Sequence, residues 1–597
     1  MAEKIIEQEA KKEASLEKEL EEKLYSRNTH KFGVDLNPVV SISTIALIAL
    51  LSIYVVISQQ GWFGLNPAID TFNKMTNAII SGADWVFIFA SNFFIVLALY
   101  LAFSKLGRIR IGGLTAKPEF TNFAWYSMLI SAGMGIGLMF WAVGEPLTHM
   151  NVAPPIYESG DGAFRAMAST FLHWGLHPWA IYAVLALALS YFAYNKKLPL
   201  SLRSIFYPLF KEKVFGRLGD VIDVIAVLAT LFGLATSLGL GVQQINGGMN
   251  YLFGLPVSIL FQVLLIIGIT SIATISIISG IDKGVKILSQ WNMRIAAIFM
   301  ILIFILGPTA YIIRLFSNSF GLYISDLIPS AFYLSIGEGS ERAWQGAWTV
   351  FYLAWWISWS PFVGMFIARV SKGRTIREFV LAVLVVPAML SFVWLSVFGG
   401  TAMSIDAASG GLLYDVVQAD YSIALFEMIL LLDVAVLKGV VAVVLSVIGT
   451  VLVMSFFVTS SDSGSIVVNS ITSGGRIKTP ARQRVFWAGL EGFIAALLLV
   501  IGGDQALQAL QAAVIATGLP FAIILTVMSF LLLASLQKTY KRQKRVLDEK
   551  MVVKAIEDSA LDIDMEPVYR EEKRIKEKRR KERKRKEKEE KKRNASI

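Results

Sequence analysis

Twelve apolar runs, near residues 39–58, 85–104, 122–148, 164–194, 219–251, 257–279, 292–316, 344–368, 378–399, 434–467, 485–502 and 508–535, divide most of the chain. Runs of this length read as membrane-crossing helices. Lipid offers no partners to backbone N–H and C=O groups, so each crossing must satisfy its own hydrogen bonds as a helix. The expected fold class is therefore an all-α polytopic membrane protein with 12 transmembrane helices. Composition agrees: 55% of the 597 residues are hydrophobic and only 17% are charged. There is no cysteine, which excludes disulfides, thiolate metal sites and cysteine nucleophiles. The charged opening stretch is unlike a cleavable signal peptide.

The connecting loops alternate in charge. Those at 105–118, 195–217, 280–290, 369–377 and 476–484 carry lysine and arginine, among them Arg203, Lys283, Lys286 and Lys478. The others are neutral or acidic, with Asp406, Asp415, Asp420, Glu427 and Asp433. The positive-inside rule then places both tails in the cytoplasm. Residues 322–340 are apolar but short and interrupted, and are read as an amphipathic helix lying at the outer interface, with 421–433 doing the same.

Within the third run the chain reads GMGIGLMFWAVGEP, with Gly133, Gly135 and Gly137 at alternate positions. Each glycine costs a helix roughly 1 kcal/mol relative to alanine, and together they predict local unwinding. Small residues also serve tight helix packing, but these three do not share one face. An unwound segment at membrane depth offers carbonyls to a small cation and N–H groups to an anion. Phe140 is placed to close over a bound molecule.

The fourth run contains FLHWGLHPWAIYAV. On one continuous helix Trp174, Trp179 and Tyr182 fall within an arc of about 140°. Two readings stand: an aromatic belt at the membrane boundary, or a cage of ring faces around a quaternary ammonium. The eighth run, WTVFYLAWWISWSPFVGMF, sets Trp348, Tyr352, Trp355 and Trp359 in a stripe, with Trp356 rotated by about 100° towards a different neighbour. These tryptophans extend around 16 Å along the axis, deeper than a boundary belt. Ser358, Ser360, Pro361 and Gly364 are expected to loosen this helix. Runs 3 and 8 are five apart, so irregular helices open two five-helix halves of opposite orientation, the pattern of an inverted-repeat carrier.

The tenth run, SFFVTSSDSGS, holds Thr459, Ser460, Ser461 and Ser463 with Asp462. Its hydroxyls either bond back to their own helix or supply neutral oxygens to a hard cation such as Na⁺. His173 and His177 are spaced i, i+4, but without cysteine or an HExxH motif no bound metal cofactor is expected. Glu145 is read as a capping or pairing group. An intramembrane aspartyl protease is disfavoured because Gly135-Ile136-Gly137 is followed by Leu138 and not by aspartate. A channel remains open as a different class.

With GMGIGLMF and HWGLHPWAIY, the run QGAWTVFYLAWWISWSPFVGMFIARVSKGRTIREF resembles the betaine/choline/carnitine transporter family, closest in character to its sodium-coupled glycine betaine symporters. The resemblance covers residues 30–540. It implies a leucine-transporter-like fold of two inverted five-helix repeats behind two extra helices, usually as a homotrimer. The corresponding division is a charged N-terminal tail (1–38), two extra helices (39–118), the first repeat with its interfacial helix (119–340), the second repeat (341–537) and a basic tail (538–597).

By the same resemblance, an aromatic box falls on Trp174, Trp179, Tyr182 and Trp356, with Trp355 beside it and Trp359 on the cytoplasmic side. Gate-lining rings correspond to Phe140, Phe351 and Phe366. A sodium site corresponds to backbone at Ser131 and Met134 with Phe456, Thr459 and Ser460. A second sodium site would use Thr230 and Phe362, but its other threonine position is Leu234, which puts a two-sodium stoichiometry in doubt. Choline carriers resembling this family place an acid where this chain has Gly137. A zwitterion needs no such acid, which favours glycine betaine.

The expected function is sodium-coupled uptake of glycine betaine or a related compatible solute through the cell membrane, with choline or carnitine transport as the alternative. Residues 1–30 are expected to form a solvated helix. The arm at 570–593 reads either as a solvated tail or as a contact for anionic lipid, and the resemblance suggests that such tails sense osmotic stress.

Overall fold

The structure, a computed structural model, describes residues 27–62, 66–133, 135–157, 162–278, 282–337, 339–432, 438–476, 479–559, 571, 573–577 and 580–581. The expected helix at 1–30 lies almost wholly outside them, as do Met134, Asp433, Lys478 and most of the arm at 570–593. Of Ser131, Lys283 and Lys286 only the backbone is described.

Each apolar run falls on a helix or a helix pair. In chain order these are α1 (Pro38–Gln59), α2 (Ala68–Phe103), α3 (Asn122–Gly133), α4 (Ile136–Asn151), α5 (Gly162–Trp174), α6 (Leu176–Ser190), α7 (Arg217–Phe253), α8 (Ile259–Ile278), α9 (Asp282–Leu306), α10 (Thr309–Ser325), α11 (Phe351–Val370), α12 (Ile376–Ser409), α13 (Lys438–Thr472), α14 (Ala481–Gly502) and α15 (Ala506–Ser559). Among the described residues the only β structure is two isolated bridges. The chain divides into two compact units at Ala534–Ser535, and the second consists, among its described residues, of the end of α15 and short exposed helical pieces near 571–581.

Among the described residues, eight helical segments are long and apolar enough to cross a membrane, nine with the bent pair α9–α10. The shortfall from twelve has local causes. The third run is split into α3 and α4, of 12 and 16 residues, and of the 20 residues of α8 the continuous apolar stretch described in full is Ile259–Ile275. Runs 11 and 12 merge into one stretch, Ala481–Lys544, interrupted at Gly503, where φ is +53°.

Three expectations need correction. The chain turns by 109° between α9 and α10, so the helix set across the bundle is 309–325, followed by Leu327–Ala331, and not 322–340. Pro308 ends α9 and begins α10, because proline cannot continue the helix before it. The eighth run is not loosened at 358–364: α11 runs unbroken through Pro361, and the irregular turn is a π segment at Gly346–Val350. In the fourth run, Gly175 (φ −95°, ψ −128°) separates α5 from α6, so Trp174 and Trp179 do not share one continuous helix.

α11 lies against α6 and α7, and α7 packs along α13. Lipid tails are as apolar as leucine, so this packing depends on close approach and hydrogen bonds more than on hydrophobic burial. Gly233 illustrates it: a Cβ there would sit 3.2 Å from the backbone of Ser358 and Trp359, so glycine lets α7 and α11 touch.

One end of the bundle is held by charge. Arg203, fully buried although it sits in a basic loop, donates Nε to Asp223 Oδ2 at 2.6 Å, and its Nη2 forms an ion pair with Asp220 Oδ1 at 3.1 Å. Arg27 reaches Asp220 at 2.7 Å and Asn37 Nδ2 does so at 3.0 Å, while Arg476 pairs with Asp35.

Candidate functional site

The alternating glycines break the helix where the sequence predicts. α3 stops on Gly133 and α4 starts at Ile136, with Gly135 extended between them (φ −160°, ψ −149°) and no side chain capping the new helix. The first N–H groups of a helix have no carbonyl partner within it and form its positive end. This turn, Gly135, Ile136, Gly137 and Leu138, lines a small, nearly closed cavity. Trp174, Trp355, Trp356 and Trp359 form the other side, with Ser237 of α7 and Ser460 of α13.

The rings pack on one another. Trp174 meets Trp356 edge to face, with centroids 4.9 Å apart at 71°. Trp355 and Trp356, expected to face different neighbours, are stacked at 4.9 Å and 12°. Consecutive indoles manage this because the side chains swing together over one side of α11, where Phe351 stacks on Trp355 at 5.5 Å. Tyr182 joins the cluster through Trp356 at 6.3 Å and Trp359 at 6.4 Å, and Trp179 lies behind it, 5.5 Å from Tyr182. Neither Trp179 nor Tyr182 is among the residues lining the cavity. A ladder of rings continues along α11 from Trp348 through Tyr352, Trp356 and Trp359 to Phe362, each step 5.5–6.4 Å.

Two indole N–H groups are tied off: Trp174 Nε1 donates to Glu145 at 2.7 Å, and Trp356 Nε1 to the carbonyl of His173 at 2.8 Å. Those of Trp355 and Trp359 are buried without a partner among the described residues, a feature sequence does not expose. Phe140 packs on Trp141 at 5.1 Å and not on the cage. Phe366 is half-buried and lies outside the cavity lining.

The residues of the expected sodium sites are only partly brought together. Ser460 lines the tryptophan cavity, whereas Phe456 lines a second, apolar pocket with Gly135, Met139, Met300 and Trp394. Thr459 Oγ1 bonds back to the carbonyls of Ser455 and Phe456, at 3.0 and 3.1 Å. Thr230 does the same to Ala226 at 2.7 Å. Leu234 is fully buried against α13, filling the space that Gly464 leaves: a Cβ on Gly464 would lie 2.5 Å from Leu234 Cδ1.

Glu145 is more than a cap. Fully buried, its carboxylate accepts from Trp174 Nε1 at 2.7 Å and from the Tyr352 hydroxyl at 2.5 Å on Oε2, and lies 2.6 Å from His173 Nδ1 through Oε1. A buried carboxylate persists only when paired and hydrogen-bonded. The signal in the sequence is an acid inside an apolar run, but its partners come from α5 and α11 and cannot be read from spacing. His177 turns away from this network, 3.2 Å from Asn92, so the i, i+4 histidine pair does not converge.

Comparison with known proteins follows the same lines. The profile of the BCCT, betaine/carnitine/choline family transporters, matches residues 39–541. The chain is 47% identical over 525 residues to a glycine betaine/proline/choline/ectoine transporter of Vibrio parahaemolyticus, covering 85% of this chain and 89% of that one. It is 46% identical to a second protein of that organism, glycine betaine transporter 1, over 85% and 95% of the two chains. A glycine betaine transporter of Acinetobacter baylyi is 39% identical over 89% of this chain and 78% of its own.

Proposed function

Because the chain belongs to the betaine/carnitine/choline family of membrane transporters, we propose that it is a sodium-coupled symporter that accumulates glycine betaine or a related compatible solute and responds to osmotic stress. It is a transporter and not an enzyme. The supporting observation is the single cavity whose walls are the N-terminal turn of α4 and four tryptophans. One wall is suited to a carboxylate, through unpaired N–H groups at a positive helix end. The other is suited to a methylated ammonium, which gains up to ~2 kcal/mol from each desolvated ring face. A molecule carrying both groups fits such a site without burying a counter-charge, and Gly137 leaves that wall free of an acid. The buried, unpaired indole N–H groups of Trp355 and Trp359 add two donors for the carboxylate.

In this reading Trp174, Trp355, Trp356 and Trp359 contact the substrate, Trp179 and Tyr182 support the cage, and Phe140, Phe351 and Phe366 line the route in and out. Sodium sits at the break, with backbone oxygens from Ser131 and Met134 and groups of Phe456, Thr459 and Ser460. The molecule has twelve crossings when the third run, α8 and the two halves of Ala481–Lys544 are counted separately. Residues 119–340 and 341–537 are its inverted repeats, both tails are cytoplasmic, and it works as a homotrimer in the cytoplasmic membrane.

Uptake of radiolabelled betaine into proteoliposomes, with and without an inward sodium gradient, tests this. Concentrative uptake that needs the gradient is the expected result, and Trp356→Leu should raise KM by up to about 30-fold, the loss of one ring. Sodium-independent exchange of carnitine would overturn it in favour of the carnitine carriers.

A further inference from the structure

Beside the tryptophan cluster is a second constellation, which shares Glu145 and His173 with the supports of the cage but whose imidazole nitrogens the betaine reading does not use. Glu145 and His149, one turn apart on α4, meet His173 at the end of α5, and their ligand-capable atoms all lie within 4.8 Å of one another. All three side chains are buried. His149 Nε2 is 3.5 Å from Glu145 Oε1, too far for a hydrogen bond, and both its ring nitrogens are without a hydrogen-bond partner among the described residues. Leaving a buried polar group unpaired costs about 1–3 kcal/mol. The ring is held there by Trp348, 4.6 Å away, and Trp344, 5.2 Å away.

We propose that Glu145, His149 and His173 form a binding site for a transition-metal ion of the Zn²⁺ type. Two imidazole nitrogens and one carboxylate oxygen are a donor set for such ions, whereas Na⁺, Mg²⁺ and Ca²⁺ take oxygen. Ligands 2.0–2.1 Å from a tetrahedral ion stand about 3.4 Å apart. The Glu145–His149 separation of 3.5 Å already matches. The Glu145–His173 separation of 2.6 Å must open by less than about 1 Å, within reach of small side-chain rotations.

The surroundings are those of an oriented ligand set. His173 Nε2 is 3.1 Å from Thr349 Oγ1, a partner that leaves Nδ1 facing the ion. The second carboxylate oxygen of Glu145 is anchored by Trp174 and Tyr352. For the ion to bind, the proton between His173 Nδ1 and Glu145 must leave that position, passing to solvent or to His173 Nε2 opposite Thr349 Oγ1, and a water would complete the coordination. It ties α4 to α5, and through Glu145 to α11, so the site braces three of the elements that carry the cage.

The test is calorimetric titration of Zn²⁺ alone into metal-free, full-length protein in detergent, with betaine binding followed separately by tryptophan fluorescence. One Zn²⁺ per chain is expected, with affinity falling at least ~100-fold in His149→Phe and about 10-fold in Thr349→Val, which keeps all three ligands. His30→Ala, altering an exposed histidine near Asp35, should change nothing. No zinc binding by the wild type, or binding lost in His30→Ala but kept in His149→Phe, overturns the proposal. Zinc bound without betaine would count against the transport reading alone, and betaine bound without zinc against this one alone.

Discussion

Gly137→Ala adds one methyl group and should cost the site most of its affinity. A Cβ at Gly137 would lie 2.5 Å from Trp355 Cη2 and 3.3 Å from Trp174 Cη2, against an ordinary carbon–carbon contact of about 3.5–4.0 Å. Trp355 must therefore retreat by about 1 Å or more. It has nowhere to go, because its ring is stacked on Trp356 at 4.9 Å and on Phe351 at 5.5 Å. Overpacking of this kind costs roughly 1–3 kcal/mol. Expressed in betaine binding, that is a loss of about 5- to 150-fold. Gly135→Ala is the control: it lines the same cavity, nothing lies within 4 Å of its added Cβ, and its φ of −160° suits any residue. Titration of tryptophan fluorescence with betaine, in both variants and in wild type, measures the difference. A Gly137→Ala protein that binds like wild type, or a larger loss in Gly135→Ala, would refute the claim that the helix break and the tryptophans form one site. Gly137→Asp should weaken betaine at least as much while moving the choline-to-betaine ratio towards choline, since the added acid offsets a net cation.

Three further outcomes are expected. Arg203→Met leaves the buried Asp223 without its partner, while Asp220 keeps Arg27 and Asn37, and should destabilise the protein by about 3–5 kcal/mol. Adding Asp223→Leu should recover part of that in thermal melting, and a single-variant loss below about 1 kcal/mol would show that the cluster is solvated. The sodium dependence of uptake should fit one ion, because Leu234, packed against Gly464, puts an isobutyl group where the family resemblance calls for a second threonine hydroxyl; a Hill coefficient near two would contradict this. Removing residues 546–597 should leave betaine uptake intact and abolish its dependence on external osmolality, measured in proteoliposomes under osmotic upshift; unchanged activation would remove the tail from the mechanism.

What the sequence makes legible is what repeats along one line. Apolar runs and their charge alternation survive projection onto one dimension, so each run meets a helix, and three glycines in five residues mark the break at 133–136. Features set by contacts between distant segments do not survive it. Assigning Trp174, Trp179 and Tyr182 to one helical face assumes an unbroken helix, and Gly175 removes that assumption while the tertiary packing still gathers the rings around Trp356. Pro361 suggests a loosened α11, yet the helix absorbs it and the irregular turn appears at 346–350 instead, a segment that contains Trp348 and Thr349.

Glu145 shows why the two halves of the site depend on one another. An acid inside an apolar run is conspicuous, but its role follows only when the donors from α5 and α11 are seen to converge on it. Its Oε2 pins the Trp174 indole by the N–H edge, and the carbonyl of His173, one residue earlier, pins Trp356 in the same way. Both rings are thus fixed by their edges, so what they have left to offer a cationic guest is a face, the part of an indole that carries negative charge density. Glu145 is not among the residues lining the cavity; its carboxylate acts on the cage through the edge of Trp174. On the proposed reading this would separate a site for a zwitterion from one for a cation: the acid is retained but spent on holding tryptophans, and the guest's own carboxylate would find its electrostatic partner at the broken helix at Gly135.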